Sequence, residues 1–188
     1  MLQVNQIAPE LQVETWLNTA QPLSLAALRG RVVVLHAFQM LCPGCVLHGL
    51  PQAQAVRAMF SERDVAVIGL HTVFEHHAVT GAAALKAFLH EYRINFPVAI
   101  DMPSIDHDVP RTMQAYGLRG TPSVLVLDKT GLVQLHQFGR VDDMRMGALI
   151  GTLLAQTSPQ SSTLADGSTH PASSQQACDE EGCERPGT

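Results

Sequence analysis

Two apolar runs, Val32-Val33-Val34-Leu35 and Val65 to Leu70, lack the alternation of a strand that keeps one wet face, and Ser123 to Leu127 reads as a further strand. A strand without a polar side is covered on both faces, so the sheet it joins must lie between layers of helix. Helical spacing appears where such layers need it. Residues 43–60 place Val46, Leu50, Val56 and Met59-Phe60 on one side. Ala82 to Tyr92 turns Phe88 and Leu89 inward, and Asp142 to Gln156 carries the stripe Met146, Leu149, Ile150, Leu153 and Leu154. Smaller elements complete the order. Leu11 to Leu17 alternates like an entry strand, Leu23 to Leu28 reads as a short turn-helix, and Pro97 to Ile100 as a short strand. Arg111 to Tyr116 is a short helix stopped by Gly117. Leu132 to Phe138 pairs back through the loop Asp128-Lys129-Thr130-Gly131 as a hairpin. The pattern predicts an α/β fold with a central mixed sheet and a partly antiparallel edge.

Residues 1–156 are expected to form one domain, and 157–188 to be something else. The whole chain of 188 residues is 46% hydrophobic and 15% charged, enough for one sizeable core. The last stretch is dominated by Ser, Thr, Gln, Pro and Gly, with Leu164 its one large aliphatic, and is expected to be a disordered acidic tail. Five of the acids (Asp166, Asp179, Glu180, Glu181, Glu184) lie there against Arg185 alone, so most of the net charge of −5 belongs to the tail and the body is close to neutral. No basic stripe is present for a nucleic-acid partner. Met1 to Gln6 has neither a basic residue nor an apolar core for a leader, and the apolar runs are strand-sized, so no membrane partner and a cytoplasmic location are expected. In that compartment four cysteines point to reactive or metal-binding thiols rather than a disulfide scaffold.

Cys42-Pro43-Gly44-Cys45 follows the most strand-like run and opens a helix. That places Cys42 at the N-cap, Pro43 at the favoured first position and Cys45 at the third. The sulfur of Cys42 would then face the amides of Gly44 and Cys45 and the positive end of the helix dipole. Such a site can lower a thiol pKa from about 8.5 into the range of roughly 3.5–7.5, supplying the thiolate that disulfide exchange needs. Half of a zinc site, completed by a second pair of ligands, is the other reading of the same spacing.

Gly30 to Phe38, then Cys42-Pro43-Gly44-Cys45, then Gly120-Thr121-Pro122 before a strand, together resemble the thioredoxin superfamily. Ala8-Pro9-Glu10, the stretch Leu25 to Gly30 and the helix inserted around 82–92 are similar to its TlpA-like and AhpC/TSA redoxin branch. The resemblance covers about residues 5–155 and implies a thioredoxin-like fold with an N-terminal extension and that inserted helix. It implies Cys42 as nucleophile, Cys45 as resolving thiol, and Pro122, in the cis form, setting the Thr121 backbone to align an extended substrate. It implies protein or peptide thiol and disulfide substrates, an unidentified electron donor, and no cofactor. Departures are visible. Leu41 replaces the usual tryptophan, and Pro51 comes one residue later than the family's helix proline. His36 holds the place of the buried acid that moves protons, and it is expected to shape the pH profile between roughly pH 6 and 8. His48 stands near the place of a glutamate base.

Two further clusters stay open. His71, Glu75, His76 and His77 follow a strand whose carboxyl end lines the crevice of such sheets, and are candidates to bind a metal or to serve as acid and base beside the cysteines. Cys178 and Cys183 are candidate auxiliary thiols within the tail. A peroxidase is the alternative enzyme, although Gln39 and Leu35 stand where peroxiredoxins carry a hydroxyl residue and a proline. A metal-binding protein or metallochaperone using CxxC, the histidine loop and the tail is the alternative outside catalysis.

Overall fold

The structure, a computed structural model, describes residues 2–156. The expected tail, with Cys178 and Cys183, lies outside the described residues. Six strands form one sheet: β1 (Val13–Leu17), β2 (Val32–Phe38), β3 (Val65–His71), β4 (Val98–Asp101), β5 (Ser123–Leu127) and β6 (Val133–Phe138). Their spatial order is β1-β4-β3-β2-β5-β6. β2, β3 and β4 run parallel, while β5, β6 and β1 pair antiparallel to their neighbours. The helices are α1 (Leu50–Met59), α2 (Ala82–Glu91), α3 (Arg111–Tyr116) and α4 (Asp143–Ala155). The mixed sheet, the extension before β1 and the helix between β3 and β4 are those the sequence predicts.

All seven residues of β2 are buried, and its pleat sends them alternately into two cores. Val32, Val34 and Phe38 join Leu50 and Val56 of α1, Leu85 and Leu89 of α2, and Met146 and Ile150 of α4. Val33, Leu35 and Ala37 join Leu25, Leu28, Met113 and Tyr116 on the other face. At about 1.5–3 kcal/mol for each fully buried large aliphatic, this strand anchors both layers. His36 therefore points to the α1 side, alternating with Val34 and Phe38, opposite Val124 of β5.

Some local expectations shift. Leu23 to Leu28 forms turns rather than a helix, because the Glu10 carboxylate accepts the Leu25 and Ala26 N–H groups, both at 2.7 Å. Met59 is 78% exposed instead of buried, since α1 packs through Leu50, Ala53 and Val56. Phe88 is half-buried and stacks on Tyr92, with ring centroids 4.4 Å apart. His71 belongs to the end of β3, buried against the Phe38 ring, and not to the loop that follows.

The helix that opens at the CPGC motif is not uniform. Cys45–Gly49 forms a π turn, in which the Leu50 N–H donates to the Cys45 carbonyl five residues back. Pro51 follows at once and has no N–H to give. A wider turn takes up one additional residue, which accounts for the late arrival of Pro51.

His36 and His71 are buried, and burial holds each near a pKa of about 4, against 6.5 when exposed. The unfolded chain therefore binds more protons between those values, and stability falls as pH drops through that window. The expected loss is about 2 kcal/mol per histidine between pH 7 and pH 5. Urea unfolding at the two pH values checks this. In His71→Phe the difference should shrink by about half, and an undiminished difference would assign the acid lability elsewhere.

Candidate active site

The reactive turn hangs from the carboxyl end of β2. Gln39 and Met40 are still buried, and the chain then emerges at Leu41. The Cys42 N–H donates to the Gln39 carbonyl at 3.2 Å, while the Cys42 carbonyl accepts from Cys45 and Val46 at 3.0 and 3.1 Å. Those bonds make Cys42 the first residue of the helical turn, in the N-cap role expected from sequence. The Cys45 N–H also lies 3.4 Å from the Cys42 sulfur, to which it donates. Of the two amides expected there, this one makes the contact.

The second wall comes from far along the chain. Thr121-Pro122 is cis, and the Cys42 thiol donates to the Thr121 carbonyl at 3.4 Å. Pro122 presses on the helix at two points. A methyl group on Gly44 would stand 3.1 Å from Pro122 Cδ, and one on Gly49 would stand 3.2 Å from Pro122 Cβ. Both glycines are needed for this approach.

The two thiols, both free, live in different surroundings. Cys42 is half-buried at the surface, and Cys45 is fully buried behind it. Burial pushes the Cys45 thiol up to about 12, and the adjacent Cys42 thiol adds to the rise, while the Gln39 backbone and Thr121 pull it back. Attack by an outer sulfur followed by closure from an inner one is the chemistry this arrangement suits.

A cavity of about 160 Å³ opens behind Pro122. His36 lines it with neither ring nitrogen hydrogen-bonded, and exposed His48 lies at its edge with Arg140 and Asp143. Gln52 closes one side, donating to the Val141 carbonyl at 2.8 Å and to Asp143 at 2.6 Å. His36 and His48 thus meet one cavity, from the strand and from the π turn. No sequence pattern marks Gly49, Gln52 or Arg140, whose roles depend on which distant segments meet.

The loop after β3 is only partly drawn in. Glu75 reaches the reactive turn by accepting from Gln39 Nε2 at 3.2 Å. His76 and His77 are exposed, and His71 lies in the core. Among the described residues, no three His, Cys, Asp or Glu side chains converge as metal ligands.

Residues 4–136 match the AhpC/TSA family. A crystal structure of a thioredoxin-like superfamily protein is 59% identical, covering 81% of this chain and 99% of its own, with a TM-score of 0.79. A thiol-disulfide isomerase from Corynebacterium glutamicum is 52% identical over 80% of this chain and 98% of its own, with a TM-score of 0.76. Protein DipZ of Mycobacterium tuberculosis is 30% identical over 156 residues, which are 81% of this chain. The chain spans only 21% of DipZ, about a fifth of the length of that curated relative. The fold is thioredoxin-like.

The asymmetry of the thiols sets an order of reactivity. Iodoacetamide at pH 7 should label Cys42 at least about tenfold faster than Cys45 in the reduced protein, because only thiolate reacts and Cys45 is buried with its proton tightly held. Peptide mass mapping over time reads both rates. Faster labelling of Cys45 would reverse the roles of the pair.

Proposed function

The chain belongs to the AhpC/TSA family, and we propose that it is a thiol–disulfide oxidoreductase working through Cys42 and Cys45 on protein or peptide disulfides. The observation that carries this reading is the stacking of an accessible sulfur over a buried one, beside the Thr121 carbonyl. Cys42, as thiolate, attacks one sulfur of the substrate disulfide and expels the other. A negative charge on Cys42 meets the Cys45 N–H and the positive end of the helix. Thr121 offers its backbone to align an extended substrate beside the new mixed disulfide. Cys45 then attacks Cys42, releasing the second substrate thiol and leaving the Cys42–Cys45 disulfide. Two electrons pass to the substrate, and a thiol donor returns them. We place the protein in the cytoplasm, where such donors keep thiols reduced.

Closure requires the Cys45 proton to leave, and a thiol near 12 does not release it unaided. His36 assists that step in this proposal by orienting water beside the thiol, since a ring protonated only near pH 4 is too weak a base to keep the proton itself. It lies on the β2 face that the reactive helix covers, and Gly49, one turn after Cys45, would place a methyl 3.8 Å from its Nδ1. A cavity of about 160 Å³ has room for several waters to link the ring to solvent past His48. Burial keeps the ring neutral down to about pH 4, which moves its influence away from the neutral range expected from sequence. The buried Gln39 side chain is already taken by Glu75 and the Phe74 N–H and offers no hydroxyl to a peroxide. That supports disulfide over peroxide chemistry.

Insulin reduction driven by dithiothreitol should show clear turnover, abolished in Cys42→Ser, while hydrogen peroxide is consumed slowly. Peroxide turnover at peroxiredoxin rates would reverse this ranking. For the proton step, His36→Ala should slow resolution of the mixed disulfide on the order of 10²-fold. The wild-type rate should decline as pH falls through about 4, where the ring takes a proton. An unchanged rate in the folded variant would leave His36 as packing.

A further inference from the structure

Two arginines beside the substrate-aligning segment have no task in the chemistry so far. Arg119 immediately precedes Gly120-Thr121-Pro122, and Arg140 lines the cavity behind Pro122. Both are exposed. Among the described residues the one ion pair joins Arg57 to Glu62, which leaves both guanidinium groups without a carboxylate. The nearby acids are engaged elsewhere. Asp143 accepts from Gln52 Nε2 at 2.6 Å, Asp142 accepts the Arg145 N–H at 3.1 Å, and Glu75 accepts from Gln39 Nε2 at 3.2 Å.

The end of β6 sets both cations in place. The Phe138 ring packs on Gly120, where a methyl group would stand 3.0 Å from Cε2. The Arg119 guanidinium lies over that ring, 5.7 Å from its centroid. Phe138 is 44% exposed, and a cation over its face is a contact that such a ring can make without being buried. The next residue, Gly139, donates its N–H to the Pro122 carbonyl at 2.8 Å, and Arg140 follows directly. Ser123, opposite Phe138 in the sheet, donates its hydroxyl to the Gly120 carbonyl at 2.7 Å. The backbone of Thr121 thus has one cation just ahead of it and another packed behind its proline, both tied to the register of β5 and β6.

We propose that Arg119 and Arg140 are specificity-determining residues that select peptide disulfides with acidic residues beside the cysteine. The inference deepens the reading as a thiol–disulfide oxidoreductase and rests on it. An acidic neighbour slows exchange twice. It repels the attacking Cys42 thiolate, and it raises the pKa of the substrate thiol that must leave. A guanidinium beside the aligned peptide offsets both effects. Cys42 still bonds to one substrate sulfur and expels the other as thiolate, and the arginines contribute charge alone. Cys178 and Cys183, outside the described residues, stand in such a setting among Asp179, Glu180, Glu181 and Glu184. Their sequence supplies the probe.

The full chain carrying Cys178→Ser and Cys183→Ser, with Cys42 and Cys45 as its remaining thiols, tests this with two peptide disulfides and dithiothreitol. One peptide has the sequence of residues 178–184, oxidised between its two cysteines, and the other replaces each acid by its amide. Chromatography of the reduced peptide, corrected for direct reduction by dithiothreitol, gives kcat/KM for each. The acids of the tail are common to every arm. In Arg119→Gln with Arg140→Gln the ratio of acidic to amide kcat/KM should fall about fivefold, the combined worth of two exposed charge pairs. Arg119→Lys with Arg140→Lys keeps both charges and should hold the ratio within roughly twofold of the original. Raising sodium chloride from about 0.05 M to about 0.5 M needs no variant and should lower the original ratio toward that of the glutamine pair, because exposed charges are screened. A loss shared equally by both peptides would mark the arginines as structural and overturn the proposal. So would an unchanged ratio in the glutamine pair or at high salt, or a lost ratio in the lysine pair. A chain with both arginines that reduces neither peptide would instead overturn the proposed function.

Discussion

Pro122 lies against the start of the reactive helix so closely that a single methyl group would disturb the fit at either of two positions, Gly44 and Gly49. Much of the site follows from that contact. It brings the Thr121 carbonyl to the Cys42 sulfur, and it caps the cavity in which the His36 ring sits. It also asks for a helix whose first turns can carry glycine without unwinding. The π turn at Cys45–Gly49, the missing N–H of Pro51 and the two glycines all weaken that stretch by ordinary helical standards. Burial of Leu50, Ala53 and Val56 against the sheet offsets the weakness and holds the helix in place.

The sheet provides the rigid side of the contact. β2 delivers the reactive turn from a strand buried on both faces, and its antiparallel neighbour β5 begins immediately after Pro122. Thr121 and Cys42 are therefore held by adjacent strands in fixed register, with Ala37 opposite Ser123. Placement on paired strands gives a precision that loops alone rarely supply. The same geometry separates the two sulfurs into an outer and an inner environment. One is reached by solvent, while the other keeps its proton up to about pH 12 because water is excluded. Two identical side chains three residues apart thereby acquire different chemistry.

Much of this was legible in the chain itself. Unbroken apolar runs announced the buried strands, and CPGC after such a run announced the helix start and the paired thiols. Gly120-Thr121-Pro122 marked the opposing segment. Side-chain roles were less legible where burial decides them. Position marks His36, but titration near neutrality is the property of a wet ring, and burial in the interior lowers it to about 4. His71 read as part of a loop because histidine rarely ends a buried strand, and the Phe38 ring is what accommodates it. Gln39 read only as a misfit, because a lone glutamine carries no sequence pattern.

Sequence by itself determined the alternation of strands and helices, the reactive pair and the segment that faces it, because periodicity and turn chemistry are local properties. Tertiary structure alone decided which thiol lost its water, which histidine reached the cavity and which loop Gln39 would grip. Those outcomes depend on desolvation and on hydrogen bonds between residues as far apart as Cys42 and Thr121, or Gln39 and Glu75. Neither quantity exists until the chain has closed on itself, since the energy of a charge or a polar group is set by what replaces its water.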